Sequence, residues 1–302
     1  MLMKKSNGKK IKTSFSRKLF NVFNLLVLTL LMVSCFLPFV YVAAVSFSDK
    51  IYVQAGQVNF LPKGFNTLSY QYLINKIAFW RAFGISILRT VLGTLVNLLL
   101  IILTAYPLSK SDTKLTGRSF YTWFFFITML VSGGMIPNFV LVGQLGLRDN
   151  ILSLILPGAL PVFNLVLMIN FFRQVPIEME EAAMIDGASH VKILAQIYVP
   201  LSKAAMATIS LFCMVNHWNA WFDGMIYMKS PEKLPLQTYL RNVILKMDMS
   251  QMTGDDYGLL QMLSNDSIKC TQIVVAVIPI LCVYPFLQKY FVKGIVLGGV
   301  KG

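Results

Sequence analysis

Residues 176–200, PIEMEEAAMIDGASHVKILAQIYVP, form a polar-containing stretch between two long apolar runs. Pro176 suits the first turn of a helix, where its missing N–H costs nothing. Glu178, Glu180 and Glu181 follow, placing negative charge at the positive end of a helix dipole. Ala182 and Ala183 are small and allow a partner surface to approach the backbone. Asp186-Gly187 is a turn pair, and glycine takes the positive φ that a sharp corner needs. Ser189 is an N-cap for a second short helix through Gln196, and Pro200 marks the join to the next apolar run. The stretch predicts helix, corner, helix, lying beside a membrane rather than crossing it. An amphipathic connector resting on the bilayer is the plain reading of such a segment.

The membrane follows from composition. Of 302 residues, 56% are hydrophobic and 13% charged, and the mean hydropathy is +0.65. A soluble domain carries roughly a quarter charged residues. Several apolar runs approach or exceed the ~20 residues needed to cross a bilayer. The chain is therefore an all-α membrane protein. Spans are expected at 19–45, 82–108, 120–142, 151–172, 201–222 and 270–286. The first run is too long for the apolar region of a signal peptide, so it is read as a retained helix. Pro38 kinks it, Gly133-Gly134 and Pro137 break the third span, and Pro157-Gly158 and Pro161 interrupt the fourth. Membrane helices tolerate such breaks where neighbours satisfy the freed backbone.

Charge placement sets the topology. The net charge is +14, and nucleic-acid binding is one reading of it. With six spans and the N-terminus inside, however, 16 of the 27 basic residues fall on the short inner segments. That bias places both termini and residues 176–200 in the cytoplasm. Arg89, near the outer end of the second span, is expected to snorkel to the headgroups. The organisation expected is a basic tail over 1–18, then a first helix and outer loop over 19–80. A five-helix core follows over 81–290, carrying the loop 176–200 and an outer segment 223–269, and a short tail closes the chain over 291–302. Cys35, Cys213, Cys270 and Cys282 form no CxxC pair, so neither a disulfide framework nor a metal site is indicated.

Catalytic signatures are missing. There is no HExxH, GxSxG or GxxxxGK[ST], and only His190 and His217 are present. Any nucleotide must bind another chain. Ion-coupled carriers place ionisable groups at mid-membrane. Here the interior polar groups are neutral, among them Asn97, Asn164, Asn170, Asn216 and Asn219. Neutral polar groups beside aromatic rings suit a sugar. The candidate pathway residues are Asn164, Asn216, Trp218 and Asn219. An aromatic belt with asparagines bonding neighbouring helices is the alternative, and it stays open at this point.

The spacing in the opening stretch resembles a motif of sugar-importing ABC permeases. Glu181-Ala182-Ala183 is followed after three residues by Gly187, after nine by Ile197, and after one by Val199-Pro200. The single departure is Val199, where the family prefers Leu. PIEMEEAAMIDGAS, WNAWFDGMIY and YPFLQKYFVKG also look like the maltose-importer class of permease. The resemblance implies a type I ABC importer permease fold. It implies a second homologous permease, two cytoplasmic ATPase subunits that bind ATP and Mg, and an extracytoplasmic solute-binding protein or lipoprotein. This chain would bind no cofactor or metal itself, and it would sit in the bacterial inner membrane. Glu181, Ala182, Ala183, Asp186, Gly187, Ile197 and Pro200 would make the ATPase-coupling loop. Glu180→Ala would be much milder than Glu181→Ala, and part of 223–269 would be helical and touch the binding protein. A permease for a peptide or amino acid, and a stand-alone secondary carrier, are the rival readings. The topology predicts that cysteines at Ser6 and Ser189 are shielded from an impermeant external thiol reagent while one at Ser250 is labelled. Labelling of Ser189→Cys from outside would sink the coupling assignment.

Overall fold

A computed structural model describes residues 15–245 and 263–298. The tail 1–14, the stretch 246–262 with Ser250, Gly254 and Asp255-Asp256, and residues 299–302 lie outside the described residues. Among the described residues every regular element is helical. The chain divides into two compact units, Met1–Ser69 with Gly258–Thr271, and Tyr70–Tyr257 with Gln272–Gly302.

The first unit holds α1 (Phe15–Ser46) and the short α2 (Lys50–Gln54). Helix α1 is 32 residues long and carries Pro38 inside it. At about 1.5 Å per residue that is ample for the ~30 Å hydrocarbon layer. Its large apolar side chains, such as Phe20, Leu25 and Phe36, are exposed. Asp49 caps α2 by accepting a hydrogen bond from Ile51 N at 3.0 Å.

In the second unit α4 (Ile77–Ser109) follows the short α3 (Leu68–Asn75). The third span is two helices, α5 (Arg118–Leu130) and α6 (Met135–Gln144), bent by 111°. Gly134 at φ 87° precedes α6, and Pro137 sits in its first turn. The fourth span is also broken. Tight 3₁₀ turns over 151–158 meet α7 (Val162–Phe172) at 53°. The motif region supplies α8 (Ile177–Ile185), α9 (His190–Ile193), a π turn over Leu194–Tyr198 and α10 (Val199–Leu201). Then α11 (Lys203–Asn219) leaves that run at 83°. Helices α12 (Phe222–Tyr227), α13 (Leu236–Leu245) and α14 (Asn265–Gly298) follow. The expected fifth span of 201–222 is shorter, because Ala220 turns extended and Phe222 opens a separate helix. The last helix runs well beyond the expected 270–286 despite Pro279 and Pro285.

Among the described residues, three helices are long and apolar enough to cross a membrane, and each bent pair adds one more if read as one span. Helix α4 is the hub, packing against α7 and α11. Ile101, Ala105, Leu165, Met168, Phe172 and Ile209 form the core between them.

Polar side chains knit the same three helices. A Cβ on Gly93 would overlap the His217 ring, so the missing side chain sets how closely α11 approaches α4. In the amide orientation that satisfies its neighbours, Asn97 accepts from His217 Nε2 at 3.2 Å. It donates to Gly93 O at 2.9 Å and to Ala159 O at 3.2 Å. The Ala159 carbonyl lies at the break of the fourth span, so Asn97 satisfies backbone that the break sets free. Arg89 corrects the sequence reading. It does not snorkel; its side chain is 3% exposed and ion-paired with Asp223. Its Nη1 lies 3.1 Å from Asp223 Oδ1 and 3.2 Å from Ala220 O, and Nη2 lies 3.3 Å from Leu154 O. A desolvated guanidinium needs a carboxylate, and this one comes from 134 residues along the chain. Asp223→Leu is expected to cost about 3–5 kcal/mol by stranding the buried Arg89, and Arg89→Met/Asp223→Leu to recover most of it. Melting curves in detergent check both variants.

Candidate functional site at the loop between α7 and α11

Helix α8 starts after Pro176, which sits one position before the first turn and carries an extended backbone, with φ −56° and ψ 130°. It ends in a Schellman motif. Ala188 N bonds Ala183 O at 2.9 Å and Gly187 N bonds Met184 O at 3.0 Å, with Gly187 at φ 75°. Space is open where a Cβ on Gly187 would point, so glycine is required here for its backbone and not for room. Ser189 then caps α9, its Oγ accepting from Lys192 N at 3.4 Å. The corner and the cap expected from the sequence are both present. The second helix is not regular to Gln196, because the ladder widens into the π turn from Leu194. Such turns often mark functional positions.

The corner presents a consistent outer surface. Glu181, Ala182, Asp186 and Gly187 are exposed, as is Pro200 at the far end. Beside them Ile185 is 87% exposed and Val191 77%. Ala183 and Ile197 turn inward and pack on the core of α4, α7 and α11. The seven motif residues therefore split into an outward set and an inward pair that seats the loop.

Glu180 is the residue the sequence reading undervalued. It is 2% exposed and lies on the inward side of α8, three positions before Ala183. Its Oε2 accepts from Lys110 Nζ at 2.6 Å and from Tyr198 Oη at 2.5 Å. Lys110 also donates to Tyr198 Oη at 2.8 Å and lies 4.0 Å from the centroids of both the Tyr106 and Tyr198 rings. Tyr106 hydrogen-bonds His190 Nδ1 at 3.2 Å. Lys114 Nζ stands 3.6 Å from Glu180 Oε1, beyond hydrogen-bond reach but close in charge. The last turn of α4 and the residues just after it thus hold α8, α9 and the π turn at once. Burial by itself would raise the Glu180 pKa. The bonds from Lys110 and Tyr198, with the charges of Lys110 and Lys114, outweigh burial and hold the carboxyl below its usual range. Among the described residues Glu181 pairs with Lys114, at 3.9 Å, and its side chain is 57% exposed. Such an exposed pair is worth about 0–1 kcal/mol. Lys110 and Lys114 entered the sequence reading only as topological charge. The readable signal was a lysine directly behind a long apolar helix, facing a loop with three glutamates.

The candidate pathway residues divide. Asn164 is buried, its Nδ2 3.4 Å from Cys213 Sγ, and Trp218 is buried with Nε1 donating to Ala276 O at 3.1 Å. Both sit in helix packing. Asn216 and Asn219 are exposed on α11.

No family model matches the chain. Individual relatives do. Protein LplC of Bacillus subtilis (strain 168) is 41% identical over 285 residues, covering 94% of this chain and 96% of its own. The polygalacturonan/rhamnogalacturonan transport system permease protein YtcP of the same organism is 40% identical over 268 residues, covering 89% and 93%. Among solved structures, a chain of a bacterial ABC transporter involved in the import of the acidic polysaccharide alginate superposes with TM-score 0.85. It is 34% identical and covers 92% of this chain and 99% of its own.

The buried clamp predicts a pH-dependent stability difference. Glu180→Gln is expected to cost about 3–5 kcal/mol at neutral pH by leaving Lys110 unpaired, whereas Glu181→Ala costs under about 1 kcal/mol. The sequence expectation ranks the two glutamates for ATPase coupling, a readout separate from stability. Because the folded pKa of Glu180 is depressed, the wild-type advantage is complete above the ordinary glutamate value of about 4.3 and shrinks as pH falls below it. Melting temperatures of wild type and Glu180→Gln between pH 8 and 3 check the sign.

Proposed function

Because this chain belongs to the permeases of carbohydrate ABC importers, we propose that residues 176–200 are its coupling loop. The observation that carries this is the corner. Glu181, Ala182, Asp186 and Gly187 are exposed next to two bare apolar side chains, Ile185 and Val191, on a loop whose other face is anchored in the core. An apolar tip ringed by polar groups is suited to a partner's cleft. The partners are two separate cytoplasmic ATPase subunits, which bind ATP and Mg, and a second homologous permease. An extracytoplasmic binding protein delivers the sugar. In this reading the chain crosses the bacterial inner membrane six times, with both ends in the cytoplasm. It is a non-catalytic subunit and binds no cofactor itself.

The substrate proposed is an acidic oligosaccharide. Two of the matches carry names that refer to uronate-rich polymers, polygalacturonan/rhamnogalacturonan and alginate. A second solved structure, the alginate transporter with a pentasaccharide-bound periplasmic protein, is 14% identical at TM-score 0.55 and supports the fold alone. Asn216 and Asn219 are the proposed pathway groups on this chain, since both are exposed on α11, while Asn164 and Trp218 shape the wall behind them.

Two substitutions test the loop. At Gly187 a valine meets strain of about 1–3 kcal/mol at positive φ. At Glu181 an alanine removes a charge whose loss at a buried interface costs roughly 2–5 kcal/mol. Gly187→Val and Glu181→Ala are expected to insert and pair with the sister permease yet lose ATPase co-purification and uptake of labelled oligogalacturonides. Full uptake by Glu181→Ala would reduce it to a helix-start residue.

A further inference from the structure

We propose that α4 is the lever of this permease, and that the Lys110–Glu180–Tyr198 clamp is the joint through which the loop 176–200 moves it. The inference rests on the coupling reading of that loop. Its basis is the distribution of polar contacts along one helix. Past the end of α4, Lys110 is held by Glu180 at 2.6 Å and Tyr198 at 2.8 Å, between two tyrosine rings. One turn back, Tyr106 reaches His190. Near the middle, Gly93 and Asn97 hold His217 of α11. Toward the other end, Arg89 grips Asp223 of α12, the Ala220 carbonyl that closes α11, and the Leu154 carbonyl of the broken fourth span.

Between Arg89 and Lys110 lies about 30 Å of helix, at roughly 1.5 Å per residue. Its one proline, Pro107, falls in the last turn. A continuous helix tied by ion pairs at Arg89, in its first half, and at Lys110, just past its end, transmits a displacement between those points rather than absorbing it. Coupling between distant sites runs through such rigid elements and their polar contacts. The exposed Glu181 would meet the ATPase, whereas Glu180, its neighbour in sequence, would pass the motion to α4. The two glutamates then have separate duties, one outward and one inward. Lys110, Glu180 and Tyr198 are positioning residues, since none faces the proposed pathway.

The test needs no knowledge of the sugar. The permease pair with its ATPases is reconstituted in nanodiscs, with Asn219→Cys in this chain as a reporter at the far end of α11. The rate of labelling by an impermeant maleimide is compared with and without ATP and vanadate. In the parent complex that rate is expected to change at least fivefold. With Lys110→Met or Glu180→Gln added, the ATPases should still co-purify and the change should fall below twofold. Lys110→Arg, which keeps the cation, should restore at least half of it, and Tyr198→Phe should give an intermediate response. The double variant Lys110→Met/Glu180→Gln should respond like either single one, because a joint is lost only once. An undiminished response in the single variants would overturn the proposal. So would loss of the ATPases from Glu180→Gln, which would make the clamp a structural strut. A parent complex that binds its ATPases but shows no response would overturn the lever while leaving the coupling loop standing. Failure of the parent to bind ATPases at all would remove the coupling reading and the lever together.

Discussion

Two buried charges, Glu180 and Arg89, each find a partner of opposite sign, Lys110 at the cap of α4 and Asp223 of α12. Much of the second unit is arranged around that requirement. Breaking either pair by removing one partner strands a charge at a cost of several kcal/mol, a large fraction of a domain's whole stability. The apolar core of Ile101, Ala105, Leu165 and Met168 fills the space between α4, α7 and α11. Apolar contact in lipid offers little preference for one helix partner over another, because the tails are as apolar as leucine. The polar ties at Arg89, Asn97 and Lys110 supply the register that the core alone would leave open.

The breaks in the helices follow the same logic. A kinked span exposes carbonyls that lipid cannot satisfy. At the fourth span, Asn97 takes the Ala159 carbonyl and Arg89 takes that of Leu154. At the fourth span, Pro157-Gly158, Pro161 and the polar residues on α4 are therefore one device. A break without its donor would be a defect, and a donor without its break would be a buried group in need of a partner.

Features that are local in sequence were legible there. The Asp186-Gly187 corner, the Ser189 cap and the interruptions at Gly134 and Pro161 depend on residues within a turn of one another, and each appears where its residues stand. The family was legible because the motif is itself a local pattern. Arg89 was misread because its partner lies in another helix far along the chain, and nothing within reach of Arg89 in sequence hints at Asp223. That Glu180 is buried while Glu181 is exposed was not legible either. Adjacent residues on a helix differ by about 100°, and which of them faces inward depends on where the loop sits against α4. Asn164 and Trp218 show the same limit, since composition offers a sugar or a neighbouring helix equally well.

The π turn over Leu194–Tyr198 holds one residue more than an α-helical path would. In a regular α-helix an added residue would turn everything after it by about 100° around the axis, and the wider turn absorbs it. Ile193 and Leu194 face the core at its start, and Tyr198 at its end reaches Glu180. The count of nine residues between Gly187 and Ile197 is then a phase requirement. An insertion or deletion of one residue there would leave every side chain chemically intact and still turn Tyr198 away from the glutamate. In this stretch the chain tolerates a change of letter more readily than a change of length.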